Sequence, residues 1–461
     1  MKEFKHFING EYVASASGKT FENRSPVDNS LIGQVHEAGE AEVDAAVRAA
    51  KAALKGPWSK LTQKQRAAML NKIADRINER FDEFLAAECL DTGKPRSMAS
   101  HIDIPRGAAN FKEFADSMSH PTEGFRMETP DAKGAVNVGH RTPKGVVAVI
   151  SPWNLPLLLM TFKVGPALAC GNTVVVKPSE ETPATATLLG EVMNECGIPA
   201  GVFNVVHGFG PNSAGAFLTN HPLVDAITFT GETRTGEIIM KAAAVGLRNV
   251  SMECGGKNPG LVFADCVLEK AVEGTMRSAF VNCGQVCLGT ERVYVERSIF
   301  DQFLARMKEE VAKLKLGRPE DPDANFGPLV SLEHRDKVKS YYDLAREEGA
   351  TVEIGGGVPD MGAELNDGAW IEPTIWTGLP EDARVIREEI FGPCCHIRPF
   401  DTEEEAIELA NDTNYGLACA IWTENSARAL RVAEQMEVGL AWVNSWFLRD
   451  LRTSFGGAKQ S

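Results

Sequence analysis

No run of lysine or arginine stands out in these 461 residues, and acidic side chains outnumber basic ones by 63 to 48, for a net charge of −15. Nucleic acids and anionic membranes both select a basic face, so neither partner is expected. An anionic small molecule would need arginine or lysine placed locally against that field. Long apolar runs are missing too: the most apolar span, "LPLLLMTFKVG", is well short of the ~20 residues that cross a bilayer. The N-terminus "MKEFKHFINGEYV" lacks the apolar centre of a secretion signal. HExxH and paired CxxC motifs are absent, and the ten cysteines follow no regular frame. The expectation is therefore no metal site, and reduced thiols in a cytoplasm. Neither the dinucleotide fingerprint GxGxxG nor the phosphate loop GxxxxGKS/T occurs. Internal repeats and low-complexity tracts are absent as well.

What is present is apolar material, 43% of the residues, enough for large cores. The length suggests two or three domains, because single cores stop growing near about 250–300 residues. After a short β start, "AEVDAAVRAAKAAL" places Val43, Val47, Ala50 and Leu54 on one helical face. "LTQKQRAAMLNKIADRINERFDEFLAAECLDTGKP" opens with the capping pair Thr62 and Gln65 and reads as one helix that stops at Gly93 and Pro95. From Lys144 apolar runs take over: "GVVAVI", "NTVVVK", "GVFNVV", "AITFTG" and "NPGLVFA", with helix-like stretches between most of them. Runs apolar on both faces, alternating with helices, mean a parallel sheet covered on both sides. The pattern predicts a doubly wound nucleotide-type domain to about Glu253, then a second α/β series that includes the strand "ERVYVE". "TEGFRMETPDAKGAVNVGHRTP" interrupts the first domain as a two-stranded excursion.

Open parallel sheets bind ligands at the carboxyl ends of their strands, and several candidates sit there. "VVVKPSEETP" puts Lys177 and Glu180 just past a strand. "FTGETRTG" runs through Gly231 into a helix start, which is a phosphate site or simply a turn. Asn154 in "ISPWNLP" is a turn residue or an amide donor to a developing oxyanion. Glu253 in "SMECGGKNPG" is a solvated carboxylate or a general base. In "FVNCGQVCLGTERVY", Cys283 and Cys287 are two buried thiols, or one nucleophile and one bystander. Each residue taken alone leaves both readings open.

Their succession is more informative. PWNLP, KPSEETP, FTGETRTG, MECGGK, FVNCGQVC and EEIFGP follow in an order that resembles the NAD(P)-dependent aldehyde dehydrogenase superfamily over essentially the whole chain. The resemblance implies an α/β fold with a doubly wound parallel NAD-binding domain (1–121 and 144–253), a second α/β catalytic domain (254–455) and a small β oligomerisation excursion (122–143). It implies Cys287 as nucleophile with Cys283 structural, and Glu253 as general base. Asn154 and the backbone N–H of Cys287 are the implied oxyanion donors. The implied cofactor contacts are Ile150, Trp153, Lys177, Glu180, Gly210, Gly231, Glu232, Glu389 and Phe391. A carboxylate at Glu180 accepts from both ribose hydroxyls and repels a 2′-phosphate, which favours NAD over NADP. Most members carry leucine where this chain has Cys254. The implied reaction is oxidation of an aldehyde through a thiohemiacetal and a thioester on the cysteine.

"NSWFLRDLRTSFGG" and "HIDIPRGAANF" carry a narrower resemblance, to the 2-hydroxymuconic and 2-aminomuconic semialdehyde dehydrogenases. It implies that Arg106 and Arg449 grip the carboxylate end of a small-molecule semialdehyde acid, as paired guanidinium donors do and lysine does not. Arg452 reads as a surface ion pair. The sequence stops at "FGGAKQS", where family members usually continue to a strand that partners the excursion. A homodimer or homotetramer is expected where that tail is present.

Overall fold

The computed structural model describes residues 2–117, 123–131 and 133–461. The expected domain boundary at 121/122 lies outside those residues. Among them, two seven-stranded sheets organise the chain. The first runs Asn249–Glu253, Ala226–Thr230, Val146–Ile150, Thr173–Lys177, Phe203–Val205, His6–Ile8 and Glu11–Val13 in spatial order. Its first five strands are parallel, and the last two are added antiparallel from the N-terminal segment. The run "VVAVI" shows why such a sheet is covered twice. Val147 and Val149 pack with Leu70, Ile73 and Phe111 of the N-terminal helices. Val146 and Ala148 pack on the other face with Val43, Val47 and Ile239.

The second sheet runs Thr351–Ile354, Thr374–Thr377, Cys394–Phe400, Thr290–Glu296, Asn258–Val262, Ala418–Trp422 and Leu440–Val443. Only its outermost pair, Thr351–Ile354 with Thr374–Thr377, is antiparallel. Each sheet has a point where the strand order reverses. In the first it lies between Val146–Ile150 and Ala226–Thr230, so the segments after Ile150 and after Thr230 diverge and leave a crevice between them.

One expectation needs correction. The long N-terminal helix is two helices, Gln63–Glu79 and Phe81–Thr92, broken at Arg80 (φ −99°, ψ 25°). The Arg80 guanidinium binds Glu83, Glu191 and Glu195 at 2.7, 2.6 and 3.2 Å, and two of these carboxylates come from a distant helix that local periodicity does not contain. The run "NPGLVFA", which lies past the expected boundary at Glu253, belongs to the second sheet, where Asn258–Val262 lies between Thr290–Glu296 and Ala418–Trp422. An apolar run marks a buried strand without saying which sheet buries it. The excursion is a two-stranded antiparallel hairpin, Gly124–Glu128 with Gly134–Val138, exposed along both strands.

Candidate active site

A cleft of ≈ 540 Å³ opens where the carboxyl ends of the first sheet face the second sheet's loops. Trp153, Asn154, Glu180, Gly231 and Glu232 line it from one side, and Cys287, His334, Glu389 and Phe391 from the other. Gly231 admits no side chain cheaply, since a Cβ there would come within 2.6 Å of the Phe229 ring. Lys177 lies beneath the lining, its ammonium 3.0 Å from Glu180. Ile150 is its neighbour in register at the end of the adjacent strand. Gly210 sits in the turn before the helix Ala214–Asn220 and is not part of the lining.

The far wall is fastened to the backbone of the second sheet. Glu291 accepts the N–H groups of Ile390 and Phe391 at 3.2 and 3.0 Å and is ion-paired with Lys257. Phe391 is held at φ +61°, a conformation costly for a bulky side chain, and meets Trp153 edge-on at 5.3 Å. His334 Nε2 bonds the Phe391 carbonyl at 2.8 Å. Glu389 accepts the Gly256 N–H at 2.8 Å. Burial lifts the Glu389 carboxyl to about 7, with Glu291 adding to the rise.

Cys287 follows a backbone that turns sharply. Asn282, Cys283 and Gly284 all have positive φ (52°, 56° and 70°), and a Cβ on Gly284 would strike the Gly392 carbonyl. Glycine is required there on both counts. The turn separates the two thiols: Cys283 is buried and donates to the Gly327 carbonyl at 3.0 Å, while Cys287 lines the cleft. Among the described residues the Cys287 N–H has no acceptor. Asn154 precedes the helix Pro156–Ala169, whose first residue is a proline suited to that position. Its Nδ2 gives one hydrogen to the Gln285 carbonyl at 2.9 Å, which leaves the second free.

The charges around this turn are strongly interdependent. Burial pushes the Cys287 thiol up to about 12; Glu389 and Glu253 push it further and Arg449 opposes them. Burial lifts Glu253 to about 7 against the pull of Lys163 and Arg449. Lys163 is drawn down to about 8 by burial, with Glu253 opposing, and donates to Thr228 Oγ1 and the Phe229 carbonyl. Sequence reasoning missed Lys163, although a lone charge in the apolar helix "PLLLMTFKVGPALA" was a signal. His334 offered no comparable signal.

Arg449 is sandwiched between Phe162 and Phe455, its guanidinium carbon 4.1 and 4.0 Å from the ring centroids. Such stacking contributes about 0.5–2 kcal/mol per ring. Burial and the nearby Arg106 lower Arg449 to about 10. Arg106 stacks over Phe447 at 4.4 Å, and the two arginines line one cavity of ≈ 630 Å³. Neither has a carboxylate partner among the described residues. Arg452, by contrast, pairs with Asp450 at 2.5 Å on the surface. No cluster of three or more metal-ligating side chains occurs among the described residues, and none of their helices is long and apolar enough to cross a membrane.

Comparison with known proteins gives this geometry a context. The chain is 70% identical to the 2-hydroxymuconic semialdehyde dehydrogenase of Pseudomonas sp. (strain CF600), covering 100% of this chain and 95% of that one. It is 58% identical to a 2-aminomuconic 6-semialdehyde dehydrogenase of Pseudomonas sp., over 99% and 93% of the two chains. Among solved structures, the NAD+ complex of aldehyde dehydrogenase from Bacillus cereus superposes with a TM-score of 0.95 at 38% identity, over 100% of this chain and 92% of that one. HpcC from Thermus thermophilus does so with a TM-score of 0.94 at 41% identity, over 100% and 89%. The model for the aldehyde dehydrogenase family matches residues 12–461, and the chain belongs to that family.

Proposed function

We propose that the chain oxidises 2-hydroxymuconic semialdehyde to 2-hydroxymuconate with NAD, in the meta-cleavage degradation of catechol-type aromatics. The observation that carries the substrate choice is the pair Arg106 and Arg449. In a protein of net charge −15, these two guanidinium groups stand without carboxylate partners among the described residues, and Arg449 lies near Cys287 and Glu253. A carboxylate at the far end of the substrate completes them. The 70% identity to a 2-hydroxymuconic enzyme, against 58% to a 2-aminomuconic one, favours the hydroxy substrate. 2-Aminomuconic semialdehyde is the second reading, since it offers the same carboxylate.

The ≈ 540 Å³ cleft suits NAD, with Glu180 placed for ribose hydroxyls, the Gly231 turn for phosphate, and Glu389 and Phe391 near Cys287. When bound, NAD supplies the hydride acceptor. Cys287 Sγ attacks the aldehyde carbon as the thiolate, its proton having passed to the solvent of the cleft that Cys287 lines. The free hydrogen of Asn154 Nδ2 and the Cys287 N–H stabilise the oxyanion of the thiohemiacetal. Losing one such donor costs about 2.7–4 kcal/mol. After oxidation the acyl group remains as a thioester on Cys287. Glu253 takes a proton from water, which attacks the thioester and releases the acid and the thiol.

We also propose a cytoplasmic enzyme that assembles as a homodimer or homotetramer, supported by the exposed hairpin Gly124–Val138; sedimentation tests this. The function is tested by comparing kcat/KM for the hydroxy and amino semialdehydes with NAD and with NADP. The hydroxy substrate with NAD is expected to be fastest. A preference for a neutral aldehyde over both acids would contradict the assignment.

A further inference from the structure

The loop that carries Asn154 rests on three ionisable side chains cut off from solvent. The Glu88 and Asp103 side chains are 0% exposed and that of Lys94 is 3%. Lys94 Nζ donates to Asp103 Oδ1 at 2.6 Å and to the Asn154 carbonyl at 3.0 Å, and lies 3.7 Å from Glu88 Oε1. Glu88 Oε2 accepts the Leu157 N–H at 3.3 Å. A second donor, Asn282 Nδ2, reaches the same Asn154 carbonyl at 2.9 Å. The main chain is thus held at Asn154 itself and again three residues on.

Two acceptor atoms of this cluster are left without a donor among the described residues. Burial raises Glu88 well above the carboxylate range, with Lys94 opposing and Asp103 adding to the rise. Among the described residues neither Glu88 Oε1 nor Asp103 Oδ2 has a hydrogen-bond partner, which a proton shared between the two carboxyls would supply. Three ionisable side chains are thus packed together out of solvent. Burying such a set is expensive, and apolar residues of similar volume often hold helices together as well or better. Apolar residues cannot supply a donor to the Asn154 carbonyl.

We propose that Lys94, held by Asp103 and Glu88, is a positioning residue for the Asn154 amide during oxidation of the aldehyde. The proposal rests on the reading of Asn154 as an oxyanion donor. The Gln285 carbonyl sets the orientation of the amide group and Lys94 fixes the main chain behind it. Both are needed because a displacement of about 1 Å at a reacting centre can cost 10²-fold in rate.

The test is steady-state kinetics on the full chain, with NAD affinity measured separately. Lys94→Met is expected to lower kcat about 10²-fold, with KM for the semialdehyde acid and Kd for NAD within about threefold. Where that variant does not fold, Asp103→Asn carries the test, since it keeps an acceptor for Lys94 and removes the charge that holds it. A fall of about tenfold in kcat at constant KM and Kd is then expected. Glu88→Gln, which can still donate to Asp103 and accept from Leu157, should rescue most of the turnover that Glu88→Ala loses. A lowered Tm with kcat preserved, or kcat, KM and Kd shifting together, would mean that the cluster only supports the fold, and the proposal would be wrong. Asn154→Ala separates the two levels. If it retains kcat, the reading of Asn154 fails and the positioning role with it. If it loses kcat and Lys94→Met does not, only the positioning role fails.

Discussion

Replacing Arg449 by methionine keeps a flexible stem between Phe162 and Phe455 and removes the guanidinium. On the proposed reading the substrate carboxylate then loses charge-assisted hydrogen bonds worth about 1.5–3 kcal/mol each. It also keeps part of its desolvation cost, so truncating one side of such a pair typically costs about 2–5 kcal/mol in total. Arg106 remains to share the carboxylate, which places the expected loss near about 3 kcal/mol, or roughly 10²-fold in kcat/KM. The assay is NADH absorbance with 2-hydroxymuconic semialdehyde and with a neutral aldehyde of similar length. For the neutral aldehyde the loss should stay within about threefold, because Arg449 reaches its chemistry only through the charges of Cys287 and Glu253. Both groups are held down by Arg449, so its removal should also move the pH–rate profile to higher pH. Equal losses for the acid and the neutral aldehyde would refute the carboxylate grip.

Two further outcomes follow from the same geometry. Cys283→Ala should retain most of the turnover and lose about 1 kcal/mol of stability, since it removes only a buried thiol bonded to the Gly327 carbonyl; an inactive but folded variant would reassign the nucleophile. Glu253 is raised from 4.5 to about 7 in the folded protein, so the native state holds a proton that the unfolded chain releases between those values. Its contribution to stability is full below pH 4.5 and is lost as pH rises through 7. Glu253→Gln, which cannot ionise, should therefore be more stable than the parent at pH 8 by about 3 kcal/mol, with a smaller gain at pH 5. Denaturant melts at the two pH values measure this, and a gain independent of pH would show that Glu253 is not desolvated.

Much of this architecture was legible in the sequence because it is written in local pattern. The alternation within "VVAVI" supplies both faces of the first sheet, and the order of motifs singles out Asn154, Cys287, Glu389 and Phe391, which line one cleft, and Glu253, whose charge acts on Cys287. What escaped depends on contacts between distant segments. Arg80 breaks a helix because carboxylates of another helix hold it. Arg449 was legible as an arginine, whereas its sandwich needs Phe162, far away in the sequence. Lys94 was visible in "DTGKP" only as part of a helix stop. Its role depends on Asp103 and on the Asn154 carbonyl meeting it in the interior.

The chemistry of Cys287 is open to one direct measurement. In the Glu253→Gln protein, hydrolysis of the thioester should stall, so NAD and 2-hydroxymuconic semialdehyde should give a single burst of about one NADH per active site. Peptide mass spectrometry of the quenched protein is then expected to find the 2-hydroxymuconoyl group on the peptide containing Cys287, attached to that thiol and not to Cys283. A full burst with an unmodified Cys287, or an adduct on another residue, would contradict the assignment of the nucleophile.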